Sequence, residues 1–238
     1  MKRIRAATER GHSRHDWLDS YHSFSFADYH DPEQMGISIL RVINDDRIAP
    51  AGGFPTHPHR DMEIVTYLLD GVLEHRDSLG NGSLIRPGEI QRMSAGSGVQ
   101  HSEFNHSDQQ PVHLLQIWLL PNRQGVEPGY AQKQFPLPER RNRLRLLVSP
   151  DGRDGSLSAH QDGLIYGSLL DRDHPITHVL EPGRIAYVHI ARGAASINGE
   201  QLTGGDAIVL ADEPEVALTG LEQAEILLFD LPAEPAAH

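Results

Sequence analysis

Short runs of alternating or apolar residues, each closed by a turn, fill this chain from end to end. Ser23-Phe24-Ser25-Phe26 alternates polar with aromatic, and Gly36–Ile43 reads as a strand closed by a turn at Asn44-Asp45-Asp46. After Gly52-Gly53, the segment His57–Asp70 is rich in Ile, Val, Thr and Tyr, residues that suit a pleated, half-buried surface. Gly71 interrupts it, and Val72–Asp77 runs on to the Asn81-Gly82 turn. Ser83–Arg86, the Pro87-Gly88 turn, Ile90–Met93, the Gly96/Gly98 bend and a strand from about Val99 follow, and His113–Leu120 stops at Pro121. Short strands with turns at near-regular spacing predict an all-β sandwich or barrel.

Residues 136–145, beginning Pro136-Leu137-Pro138, read as a connector. Beyond it the pattern returns in weaker form. Ile185–Ala191 is broken by Gly193 and continues as Ala194–Gly199, and Gly204-Gly205-Asp206 leads into Ala207–Leu210. Laid against the first half, Gly193 corresponds to Gly71, and Gly204-Gly205-Asp206 to Pro87-Gly88-Glu89. The same order of strand, glycine, strand, turn and strand twice over is a degenerate internal repeat. The expected division is an N-terminal domain over 1–135, a linker over 136–145 and a C-terminal domain over 146–238, each one barrel of the same fold.

Composition narrows the function classes. The 238 residues are 38% hydrophobic, and 22 glycines and 16 prolines spread through them argue against long helices. A net charge of −12 with scattered basic residues leaves no surface for displacing counterions from phosphate, so direct nucleic-acid binding is not expected. Only Arg140, Arg141, Arg143 and Arg145 cluster, and they read as a solvated linker rather than an anion site. The chain has no cysteine, which removes disulfides, thiolate zinc sites, iron–sulfur clusters and a cysteine nucleophile. The basic start Met1–Arg5 leads into the polar stretch Glu9–Asp16, and no apolar run approaches membrane-spanning length. A cytoplasmic monomer is the expectation.

Any metal must therefore be held by imidazole and carboxylate. Of the 15 histidines, His12, His15, His22, His30, His160, His174 and His238 sit in polar surroundings and read as surface residues. His57-Pro58-His59 differs, because positions i and i+2 of a strand project to one face. His101-Ser102-Glu103 repeats the arrangement from a second strand. Two such pairs facing each other would supply three imidazoles and a carboxylate around one point. Their single formal negative charge would leave a divalent ion Lewis acidic, with positions open to water, dioxygen or substrate. The plainer reading is a turn histidine pair and an unrelated buried histidine.

The spacing also carries a resemblance. Gly52, His57, His59, Glu63 and Gly71 approximate the first cupin motif, and Gly98, His101 and Asn105 fit the end of the second. More specifically the sequence resembles the pirin family, through Trp17-Leu18-Asp19-Ser20, Phe24–Ala27, His57-Pro58-His59-Arg60, Met93–Glu103 and Gln116-Ile117-Trp118-Leu119. The likeness is strongest over residues 10–135, and within the family is nearest the short bacterial quercetin 2,3-dioxygenase branch. It implies a bicupin, two double-stranded β-helix barrels of jelly-roll type. It also implies one divalent transition metal ion, iron first and Mn, Ni, Cu, Co or Zn as alternatives, on His57, His59, His101 and Glu103. Many cupins instead use the glutamate after the first histidine pair, here Glu63, and strand parity does not choose between them. The pirin resemblance favours Glu103, with Glu63 left to orient a ligand. Positions matching the four ligands in the second half fall near Val179, Glu181, Leu218 and Gly220, so that barrel is expected to be metal-free. His178 and His189 there read as core or edge histidines.

The activity so implied is a dioxygenase that binds a flavonol or similar enolisable aromatic through its enolic oxygen and cleaves the central heterocycle with O2, releasing carbon monoxide. Glu103 is the expected catalytic proton acceptor, and Val65, Tyr67, Leu115 and Ile117 are expected either as the apolar wall or equally as plain core. The same ligands would serve a second class, a redox-dependent regulatory pirin that binds a protein partner without turnover. A third is a metal-dependent isomerase or lyase, since one fold hosts many chemistries.

Overall fold

The computed structural model describes residues 1–233; His238 and the end of the expected C-terminal domain lie outside them. The chain is nearly all β and divides into two compact units. One comprises residues 11–134 with 159–161, the other residues 1–10, 135–158 and the described residues from 162 on.

The first unit pairs a seven-stranded sheet with a four-stranded one. The larger runs, in spatial order, Gly129–Gln134, Glu89–Ser94, Glu63–Asp70, Val112–Leu119, Leu40–Ile48, Leu18–His22 and Gly11–Arg14. The smaller runs Gly53–His59, Val99–Asn105, Leu73–Asp77 and Gly82–Ile85. All these neighbours pair antiparallel. Ile48, Leu68, Leu73, Ile85, Val112 and Leu114 form one apolar cluster of this unit. Val99–Asn105 shows strict period-two burial: Val99, His101, Glu103 and Asn105 are buried while Gln100 and Phe104 are exposed.

The second unit repeats that strand order. Its seven-stranded sheet is Lys2–Arg5, Ala207–Leu210, Arg184–Arg192, Ala224–Pro232, Leu164–Leu170, Arg145–Ser149 and Leu157–Ser158. Its four-stranded sheet is Pro175–Val179, Glu215–Gly220, Ala194–Ile197 and Glu200–Thr203. Gly71 and Gly193 occupy equivalent breaks, both with positive φ (83° and 75°). The interior is filled by a cluster including Val188, Ile190, Ile197, Ile208, Leu218 and Leu228.

Four expectations need correction. The first ten residues were expected in the N-terminal domain, but Lys2–Arg5 pairs with Ala207–Leu210 and completes the sheet of the other unit. The strand expected over Ser23–Phe26 ends at His22. The turn expected at Asn44-Asp45-Asp46 is instead mid-strand, because Leu40–Ile48 runs straight through these residues and buries all three. The arginine cluster is solvated only in part, with Arg141 and Arg143 exposed. Arg140 is buried, donating to the Phe135 carbonyl, Arg141 pairs with Asp171, and Arg145 pairs with Glu139. Among the described residues no helix is long and apolar enough to cross a membrane.

Candidate metal centre

Antiparallel pairing of Gly53–His59 with Val99–Asn105 sets His57 opposite His101 and His59 opposite Val99. A register shift between His101 and Glu103 then brings Glu103 opposite Phe54. The approach is tight at this point. A Cβ on Gly53 would sit 2.4 Å from the Glu103 carbonyl oxygen, so only glycine lets the strands meet there. Asn105, the last residue of the second motif, donates through Nδ2 to the carbonyls of Ile48, Ala49 and Gln110, which fixes the strand end.

Three imidazoles converge. His101 Nε2 lies 3.0 Å from His59 Nε2 and 3.1 Å from His57 Nε2. Two metal–imidazole bonds of about 2.0–2.1 Å at right angles set their nitrogens about 3 Å apart, so this spacing fits one ion held by all three. The lone pairs are also aimed. His57 Nδ1–H donates to the Pro55 carbonyl at 2.8 Å, which leaves Nε2 as the free acceptor. Burial, reinforced by the neighbouring histidines, pushes the His101 pKa down to about 2. Burial and His57 take His59 down to about 4. Both rings are therefore neutral at pH 7, the state in which imidazole ligates.

Glu103 adjoins this trio through His101. It lies within 4.8 Å of His101 and of His75, whereas the set closing at that distance around His57 and His59 consists of the three histidines. Gln116 Nε2 donates to Glu103 Oε2 at 2.8 Å, and Thr66 Oγ1 donates to Oε1 at 3.4 Å. Burial, with the negative Asp46 adding to it, raises the Glu103 pKa to about 7.

Glu63 faces elsewhere. It is buried and accepts a hydrogen bond from Ser94 Oγ at 2.8 Å, and no ligand set includes it. Parity could not separate the two glutamates because Asp61, with φ 47°, breaks the strand between His59 and Glu63 and resets its phase. Val65, Tyr67, Leu115 and Ile117 share that other face, pairing as Val65 with Ile117 and Tyr67 with Leu115. They are buried core and not the pocket wall. The face that meets Glu103 carries a polar row across the strands instead: His22, Asn44, Gln116, Thr66 and Gln91 are successive register partners.

His75 and Asp77 carried no motif and were missed. His75 pairs with Glu103 across the sheet, and its Nδ1 lies 3.4 Å from His101 Nδ1. Its Nε2–H donates to Asp77 Oδ2 at 3.1 Å, with both side chains fully buried. Burial alone would raise the Asp77 pKa, but donors from Asn81, His75 and Leu79 overcome it and hold the carboxylate ionised. The sequence signal was the spacing His75, Asp77 on a strand adjoining His101.

The site opens on a cavity of about 400 Å³, within the range of small-molecule sites. Its aromatic wall comes from Trp17, Phe26, Phe54 and Trp118. Trp17 meets Phe54 edge-on with centroids 4.9 Å apart, Phe26 meets Trp118 at 5.4 Å, and Trp118 meets His59 at 5.0 Å. His22, expected at the surface, is buried and lines this cavity. In the second unit, His178 bonds Asp230 at 2.8 Å and His189 is fully buried; among the described residues no group of three possible ligands forms there.

Two barrels of repeated topology, one with a histidine cluster opening to an aromatic-lined cavity, define a bicupin. The chain belongs to the pirin family: the Pirin profile matches residues 3–119, and the quercetinase C-terminal cupin domain profile matches residues 146–231. It is 46% identical over 229 residues to quercetin 2,3-dioxygenase of Escherichia coli K12, covering 96% of this chain and 98% of that protein. A pirin-like protein of Caulobacter vibrioides is 40% identical over 92% of this chain and 95% of its own length. The crystal structure of the E. coli bacterial pirin YhhW in complex with nickel(II) superposes with a TM-score of 0.94 at 45% identity, covering 99% and 100% of the two chains.

Proposed function

We propose that the chain is a dioxygenase that cleaves flavonols such as quercetin with O2, using one divalent metal ion held by His57, His59, His101 and Glu103. The observation that carries this reading is the convergence of three imidazole Nε2 atoms at the mouth of an aromatic-lined cavity, with a buried carboxyl adjoining His101. The names of the E. coli and other relatives as quercetin 2,3-dioxygenases support it. So does the nickel(II) of the E. coli pirin, although iron remains the ion we propose here.

The ion supplies Lewis acidity that lowers the pKa of a substrate hydroxyl. The chain's own residues do the rest. Trp118, Phe26, Phe54 and Trp17 hold a flat ring system and exclude water from it. Glu103, on loosening from the ion, would accept the hydroxyl proton at a carboxylate oxygen, while Gln116 and Thr66 keep that carboxylate aimed. O2 then enters, the central heterocycle opens, and one ring carbon leaves as carbon monoxide. Oxygen uptake with quercetin tests the reading. Metal-loaded protein consumes O2 while bleaching the flavonol, and the chelated protein and His59→Ala do neither above a metal-only blank. Fully metallated protein without turnover would overturn it in favour of the regulatory pirin, to be tested by pull-down with ferrous and ferric protein.

A further inference from the structure

The cavity has a second polar pole that the metal chemistry does not use. Asn44 and Asp46 both line it, and both are buried, at 3% exposure each. They sit two apart on one strand, on the same face and about 7 Å apart along it. Val42 pairs with Trp118, which meets His59, so Asn44 and then Asp46 lie successively further from the histidines, with Asp46 still near enough for its charge to raise the Glu103 pKa.

Both side chains are braced from behind and left half-satisfied in front. Ser20 donates to Asp46 Oδ1. His22 Nδ1–H donates to Asn44 Oδ1 at 2.8 Å, and Ser13 Oγ lies 3.1 Å from His22 Nε2. That brace fixes which way the Asn44 amide points. Asp46 Oδ2 and Asn44 Nδ2 then have no hydrogen-bond partner among the described residues, and neither is sealed from the cavity. The fold gains no visible packing from these polar groups, since apolar residues fill the equivalent interior of the second unit. Burial also raises the Asp46 pKa to about 7, so near neutrality the carboxyl can offer either a proton or a lone pair. An amide donor and a carboxyl oxygen on one face of the cavity each match a phenolic hydroxyl, which can accept from the first or donate to the second.

We infer that Asn44 and Asp46 form a specificity subsite that binds a phenolic hydroxyl at the end of the substrate remote from its metal-bound oxygen. The inference rests on the flavonol reading for which oxygen the metal holds, but it concerns recognition and not turnover. It selects aromatics that carry hydroxyls at both ends over those hydroxylated only at the chelating end. A site built to bond a hydroxyl discriminates strongly against the analogue without it.

The test is a binding series with nickel(II)-loaded full-length protein, kept anaerobic. The probes are galangin, kaempferol and quercetin, which share one chelating ring system and carry none, one and two hydroxyls on the pendant ring. Affinity should rise at least tenfold from galangin to quercetin. That ratio should collapse below threefold in Asp46→Leu, which fills similar volume without the polar atoms, and fall partway in Asn44→Leu. A thermal melt confirms that each variant is folded, and Asp46→Ala, which removes the carboxyl without adding bulk, serves with the same expected collapse if the leucine variant is not. Equal affinity for the three flavonols, or a ratio that survives in Asp46→Leu, overturns the subsite. Discriminating binding without O2 turnover overturns the dioxygenase reading and leaves the subsite standing. Turnover without discrimination does the reverse.

Discussion

His101 and His75 face each other from neighbouring strands, Nδ1 to Nδ1 at 3.4 Å, with Asp77 bonded to the far side of His75. If His101 ligates through Nε2, its Nδ1–H must donate to His75, whose own Nε2–H donates to the Asp77 carboxylate. One ionised carboxylate thus fixes two tautomers in series and makes His101 a stronger donor. His75→Gln should weaken nickel or iron binding by about 10–100-fold, the usual cost of removing a group that orients a ligand. Competition titration against a chelator of known affinity reads this directly. An affinity within threefold of wild type in a folded variant would show that the chain of bonds does not act on the ligand.

The two glutamates separate by substitution. Glu103 adjoins the histidines and Glu63 bonds Ser94 on the opposite face. Glu103→Gln should lose most metal retention or flavonol turnover, while Glu63→Gln should keep both within about threefold. The reverse order would place the carboxylate ligand at Glu63.

Proton competition at the site should come from Glu103 and not from His59 or His101. Its pKa of about 7 means it must shed a proton to ligate, whereas His101 and His59 stay neutral down to about 2 and 4. Apparent metal affinity should therefore rise about tenfold per pH unit from 5 to 7 and flatten above. Glu103→Gln should remove that slope. In the metal-free protein the same raised pKa carries a stability contribution of the opposite sense. It is present in full below pH 4.5 and is lost as pH rises through 7.

Gly53→Ala should disturb both stability and binding. The added methyl would meet backbone of Glu103 and Phe104 at 2.4–2.5 Å, which no side-chain rotation relieves. The strands must part, at a cost of about 1–3 kcal/mol, and the metal affinity should fall with the melting temperature. A thermal melt and a nickel titration on the same preparation check this.

Much of the site was legible because strands have a period of two. His57 with His59, and His101 with Glu103, announce a shared face at i and i+2, and the turn glycines Gly71 and Gly193 mark the repeat. What failed was whatever depended on pairing between distant strands. His75 and Asp77 gain meaning only beside His101, and nothing local signals that adjacency. Asn44-Asp45-Asp46 carries a turn composition, yet the strand runs on because Asp45 bonds His113 at 2.6 Å while Asn44 and Asp46 face a polar cavity. Local preference was overridden where the chain builds its pocket. Whether Val65, Tyr67, Leu115 and Ile117 were wall or core stayed open for a related reason: Glu63–Asp70 is buried on both faces, so hydrophobicity could not show which face lines the site.

The central claim is metal-dependent cleavage of a flavonol ring by O2. Carbon monoxide released per O2 consumed, with metal-loaded protein and quercetin, tests it most directly. Ring cleavage predicts one carbon monoxide for each O2 and none from the chelated protein or His59→Ala. Oxygen uptake and bleaching without carbon monoxide, at the rate of the metal-only blank, would contradict it.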